Sequence, residues 1–242
     1  MSDLRETLLG ILDRKNHWAW PHFAEGRVAL PRLLPHFQQE WEVYVRDFPA
    51  YLAAILGNRT VPQDVRAMLA ANIYEEQTGG ISGTAPHPEL FLRMMEGCGF
   101  KRSDFEHVEL LPRAEAYVDL LEETAHIGPW VVGAAVFTIF VEGSVNERRE
   151  LAALEQAPQT DADIEAAILQ HPLVRLHGLD PRHLELQRVH KKVEGGHRRD
   201  AWDAVLQNAS GHESKIIRAM ELALEKWLAY RDDVAEAVGI QR

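Results

Sequence analysis

Ile127-Gly128-Pro129-Trp130-Val131-Val132-Gly133-Ala134-Ala135-Val136-Phe137-Thr138-Ile139-Phe140-Val141-Glu142 carries no ionisable residue before its last position, and the next charge comes only at Glu147. Gly128-Pro129 breaks the chain in front of this run, which predicts a helix from Trp130 to Leu154. A helix that is apolar around most of its circumference is buried. The uncharged stretch from Ile127 to Val141 is shorter than the ~20 residues a membrane-spanning helix needs, so burial inside a globular core is expected. Glu142 then lies in apolar surroundings, where a carboxylate must be neutralised, hydrogen-bonded or bound to a cation. A protonated or arginine-paired glutamate meets that condition as well as a metal ligand does.

Working outward, apolar residues recur at helical spacing nearly everywhere, with no alternating run bounded by hairpin turns, which predicts an all-α fold. A first helix is expected over Leu4 to Lys15. A second runs from Leu33 or Pro35 to Leu56 with a kink near Pro49, and a third from Pro62 to the Gly79-Gly80 pair. After the glycine-rich loop come helices from Pro88 to Cys98 and from Arg113 to His126. Beyond the opening run, a short helix follows Asp163, another starts at Asp180-Pro181 and reaches Asn208, and the last spans His212 to Val238.

The 242 residues are 46% hydrophobic and 26% charged, the composition of an ordinary globular protein, and we read them as one domain over residues 1–242. A net charge of −11 disfavours a nucleic-acid or anionic-membrane partner. The lone Cys98 excludes an intrachain disulfide and any multi-cysteine metal cluster, and the acidic opening does not read as a signal peptide; a cytoplasmic location is expected. The apolar stripe Ile216, Met220, Leu224 and Trp227 on the last helix is compatible with a homodimer.

Three further elements can carry chemistry. His190, Glu194 and His197 fall at i, i+4 and i+7, one stripe of a helix, and two imidazoles with a carboxylate suit iron, manganese or zinc. Gly195-Gly196 inside this stripe costs ~1 kcal/mol per residue against alanine, which close packing beside a metal would offset; a loop is the other reading. Glu75 and Glu76 end the third helix, and His87 begins the next one across the glycine loop. Glu40 borders an apolar stripe of Phe37, Trp41, Tyr44 and Phe48 and so can face inward.

Taken together, Glu40, Glu75, His87, Glu142, His190, Glu194 and His197 resemble the pattern of the haem-oxygenase-like di-iron oxidases and oxygenases. That superfamily also includes pyrroloquinoline-quinone synthases, thiaminase-type proteins and the chlamydial death-domain-associated protein. The resemblance implies a bundle of about seven helices and two iron ions, Fe2+ or Fe3+, with manganese as an alternative. It also implies dioxygen activation and oxidation of a small amino-acid-like or fatty-acid-like substrate. Glu40, Glu75 and Glu142 would bind or bridge the ions, His87, His190 and His197 would bind terminally, and Glu194 would complete the second ion; Glu142, Glu75 and His190 are the residues expected to be catalytic. Glu194 stands where relatives have aspartate, and the Glu75–His87 interval is long enough that Glu76 can replace Glu75. Trp20 occupies the place of the tyrosine that self-sacrificing relatives consume.

Other readings compete. Glu123-Thr124-Ala125-His126 and Glu194-Gly195-Gly196-His197 both match the Glu-x-x-His element of ferritin-like carboxylate bundles, in which His126 would replace His87. A metal-free oxidase or a thiaminase-type enzyme would use the same fold. The latter normally needs a nucleophilic cysteine, and Cys98 sits in an apolar context.

Overall fold

The computed structural model describes the backbone of residues 2–156 and 160–242 and, within them, the side chains of all but residues 2, 154–156 and 194–197. Helices succeed one another throughout: α1 (Ser2–Asp13), α2 (Trp20–Ala24), α3 (Leu34–Glu40), α4 (Phe48–Leu56), α5 (Gln63–Thr78), α6 (His87–Gly97), α7 (Pro112–His126), α8 (Trp130–Ala134), α9 (Glu147–Gln156), α10 (Asp161–Leu169), α11 (Pro172–His177), α12 (Glu185–Asn208) and α13 (Glu213–Ala237). No strand occurs among the described residues, as the 3.6-residue periodicity requires.

The expectation of about seven helices is corrected to thirteen α-helical segments among the described residues. Proline, glycine and widened π-helical turns cut what the apolar spacing presents as continuous rods. The second expected helix is divided into α3, a π-helical stretch (Trp41–Val45) and α4, whose second residue is Pro49. The helix expected from Trp130 to Leu154 is likewise not one element. It runs as α8, passes through a π-helical stretch (Ala135–Val141), stops at Glu142 and restarts as α9. Gly143 makes that stop possible: a Cβ there would lie 2.2 Å from the carbonyl oxygen of Ile139.

Two apolar clusters form the interior. The larger gathers α1, α4, α5, α7, the α8 run and most of α13 around Leu52, Tyr117 and Phe137. The second gathers α3, α6, α10 and the first half of α12 around Leu90, Met95 and Leu184. Helix α13 packs along α7 and also meets α1 and α3. The stripe Ile216, Met220, Leu224 and Trp227 is buried within the chain, so it offers no surface to a second copy. Among the described residues, no helix is long and apolar enough to cross a membrane.

Candidate metal centre and its cavity

A cavity of about 300 Å3 opens at the seam between the two clusters, bordered by Phe48 and Trp227 from one and Leu186 and Val193 from the other. Pockets between packed helices are a common location for ligand sites. Glu40, Glu75, Glu76, His87, Glu142 and His190 all face it, so the fold brings five of the seven expected ligands, with Glu76, onto one wall system. Glu194 and His197 lie on α12, which continues unbroken through Gly195-Gly196, but their side chains are outside the described residues.

The tightest group is Glu76, His87 and His190, whose donor atoms lie within 4.8 Å of one another and come from α5, α6 and α12. Local sequence explains how they meet. Helix α5 ends at Gly79 in the left-handed region (φ 63°), where a Cβ would collide with the Thr84 carbonyl at 2.3 Å. The loop turns back, and Pro86 and Pro88 flank His87 at the first turn of α6.

Glu75 holds this loop. Its Oε2 accepts the backbone N–H groups of Ile81 (2.8 Å) and Ser82 (2.9 Å), and its Oε1 lies 3.4 Å from His87 Nε2. Burial opposes ionisation of Glu75, but the hydrogen bonds from Ser82, Ile81 and His87 outweigh it and hold the carboxyl below its ordinary range. On the other side of the same ring, His87 Nδ1 is 2.9 Å from Glu76 Oε2 and 3.3 Å from His190 Nε2. One imidazole nitrogen thus meets a carboxylate behind it while the other faces the cluster, the arrangement by which a carboxylate orients a metal-binding histidine.

The protonation balance differs between the two rings. Burial opposes the charge on His87, but its contacts with Glu76 and Glu75 raise the pKa. His190 is pushed down to about 4 by burial and is neutral, as a metal ligand must be. Glu142 ends the π-helical stretch beside this group and accepts a hydrogen bond from Asn72 Nδ2 at 3.2 Å.

Glu40 faces the opposite end of the cavity. Its Oε1 accepts hydrogen bonds from the Arg231 guanidinium and from the Tyr230 hydroxyl (3.1 Å). Burial would raise the Glu40 pKa, but Arg231 and His36 lower it below the ordinary carboxylate value. Lys15 stands at the same end, buried, with its ammonium donating to the carbonyls of Phe140 (2.6 Å), Val141 (3.2 Å) and Gly143 (2.7 Å). These carbonyls bracket Glu142, so Lys15 caps the helix end that presents it.

Neither Lys15 nor Arg231 was singled out from sequence. A signal was present: Leu4, Leu8, Ile11 and Lys15 form one stripe of α1 and its extension, and Trp227 and Arg231 continue the buried stripe of α13. A cation on the apolar face of a helix requires a partner in the interior. The ferritin-like alternative finds no such support, since His126 is largely exposed and pairs with Glu122 at 3.3 Å. Cys98 lies outside the residues that face the cavity, and burial pushes its thiol up to about 11.

Comparison with known proteins identifies the fold and the family. A search of curated proteins finds no match. Among solved structures, the chain is similar to a TenA homologue from Pseudomonas syringae pv. tomato, at 13% identity and TM-score 0.70, covering 97% of this chain and 92% of that one. A domain with a haem-oxygenase-like fold from Shewanella denitrificans follows at 15% identity and TM-score 0.67, covering 97% and 90%. A TenA homologue from P. horikoshii aligns at 16% identity and TM-score 0.62, covering 98% of each chain. The fold is therefore haem-oxygenase-like. The model of the iron-containing redox enzymes matches residues 35–230, and the chain belongs to that family.

Proposed function

We propose that this protein is a non-haem iron oxidase or oxygenase that uses dioxygen to oxidise a small organic substrate, with two iron ions held at the acidic end of the cavity. The observation that carries the reading is the convergence of Glu76, His87 and His190 from three helices onto one cavity wall. Two imidazoles and carboxylates suit iron or manganese, and of the three donors His87 is buried while Glu76 and His190 are half-buried. Glu76, His87 and His190 would hold one ion. Glu142 would bind or bridge, and Glu194 and His197, further along α12, would complete a second.

Iron bound there would supply dioxygen activation and the oxidising equivalents. The protein's own part is positional. Glu75 orients His87 through Nε2 and ties down the glycine loop; Asn72 and the Lys15 cap hold Glu142 at the end of the π-helical stretch. Widened π turns next to Glu40 and Glu142 are of the kind that recur at functional sites, and they displace these two carboxylates from the regular helical register.

A thiaminase-type reading has the TenA-like folds in its favour. It stays second because the one cysteine is not on the cavity wall. Anaerobic ferrous titration followed by exposure to oxygen separates the two: the wild type should bind two irons per chain and develop visible absorption as they oxidise, and Glu142→Ala should lose both. A wild-type chain that binds no iron under argon overturns the proposal.

A further inference from the structure

Where α9 meets α12, a buried ion pair stands outside the cavity wall. Glu147, the first residue of α9, is 2% exposed, and both of its carboxylate oxygens are held. Oε1 accepts the indole N–H of Trp202 at 2.9 Å, and Oε2 accepts the Arg198 guanidinium at 2.9 Å and the backbone N–H of Ser144 at 3.4 Å. The same guanidinium donates to Glu150. A buried pair of this kind returns little of its desolvation as stability, and its best use is to fix the register of the elements that carry it.

The register fixed here joins the two halves of the second proposed ion site. Ser144 and Glu147 come just after Glu142 and Gly143, and the Gly143 carbonyl accepts the Lys15 ammonium at 2.7 Å. On the other side, Arg198 follows His197 directly and stands one helical turn after Glu194, with Trp202 one turn further along the same unbroken helix. One carboxylate therefore ties the helix end that presents Glu142 to the turn of α12 that carries Glu194 and His197. Its charge matters as much as its reach. Arg198 brings a guanidinium next to two expected cation ligands, and Glu147 and Glu150 neutralise it from α9, so that it does not oppose a bound cation.

We infer that Glu147 is a positioning residue for the second metal ion, setting, with Arg198 and Trp202, the spacing between Glu142 and the Glu194–His197 turn. The inference rests on the two-iron reading above. The first ion takes its ligands from α5, α6 and an earlier turn of α12, so it should be nearly indifferent to Glu147.

The test is an anaerobic ferrous titration of the full chain, with Mössbauer spectra to tell one filled site from two. Glu147→Gln keeps the shape of the side chain and an acceptor for Trp202 but removes the charge. It should bind the first iron within about twofold of wild type and the second about tenfold more weakly. Adding Arg198→Gln removes both charges, which spares the fold a lone buried cation, and should weaken the second iron no further, because the two side chains act as one unit. Trp202→Phe should give a smaller loss, again at the second iron alone. Thermal unfolding of each metal-free variant is recorded alongside, since a merely structural role would lower both affinities together. If the wild type binds two irons while the double variant keeps the second within about threefold, or loses both in equal measure, the inference is overturned and the two-iron reading stands. A wild type that binds one iron or none overturns the reading, and the inference with it.

Discussion

At the acidic end of the cavity Glu75, Glu76 and Glu142 surround two imidazoles, whereas at the basic end Lys15 and Arg231 stand against Glu40 in an aromatic frame. Both ends bury charge at the seam between the two apolar clusters, where an uncompensated charge is costly. They balance it differently. The acidic end draws its donors from three helices and leaves a surplus of negative charge that a cation would neutralise. The basic end draws on α1, α3 and α13 and pairs its cations with Glu40 and with carbonyl oxygens. The difference teaches that one cavity can carry two charge arrangements, linked through Lys15, which caps the helix end that presents Glu142.

If that division is sound, variants at one end that spare Lys15 should leave the other untouched. The largest effect is expected from His87→Ala, which should lower iron affinity more than 100-fold, beyond what loss of an orienting partner costs; Arg231→Lys should leave it within twofold. Inductively coupled plasma analysis after dialysis measures both, and an equal loss in the two variants would break the division. Next, Glu75→Gln should cost about 10–100-fold in iron affinity, as expected for the group that orients His87 from behind.

The proton balance gives a third prediction. The raised pKa of His87 means that, without metal, its proton stabilises the fold below the ordinary imidazole value of 6.5, and this contribution is lost as pH rises through the raised value. An ion needs the bare nitrogen, so iron binding takes the opposite sign and should weaken ~10-fold per pH unit below that pKa. Thermal unfolding of the metal-free chain and iron titration, run over the same pH series, should therefore slope in opposite directions. The smallest effect is expected for Lys15→Met, which strips three carbonyls of their donor and should cost about 1–3 kcal/mol in denaturant unfolding.

Much of this was legible in the sequence, and the exceptions have physical causes. Helix α5, α6 and α7 boundaries follow from Pro62, Pro88, Pro112 and the Gly79 stop, because proline and left-handed glycine act locally. The burial of the apolar run from Gly133 to Phe140 followed from its lack of charge, but Glu142 at its end is half-buried. What spacing did not reveal are the two π-helical stretches, since one extra residue per turn leaves no mark in composition, and they decide where Glu40 and Glu142 point. The choice between Glu75 and Glu76 was open for the same reason: adjacent residues at a helix end differ by ~100° in direction, and only the path of the loop from Gly79 to His87 settles which carboxylate faces His190. Arg231 escaped notice because charge on a terminal helix reads as solvated surface until the stripe it continues is traced.

The most direct test of the central claim is anomalous diffraction at the iron edge from crystals of the ferrous-loaded protein. The account predicts a peak within bonding distance of His87 Nδ1, His190 and Glu76, with a second beside Glu142 toward α12. Iron located elsewhere, or no peak at a wavelength and occupancy that would reveal one, would contradict it.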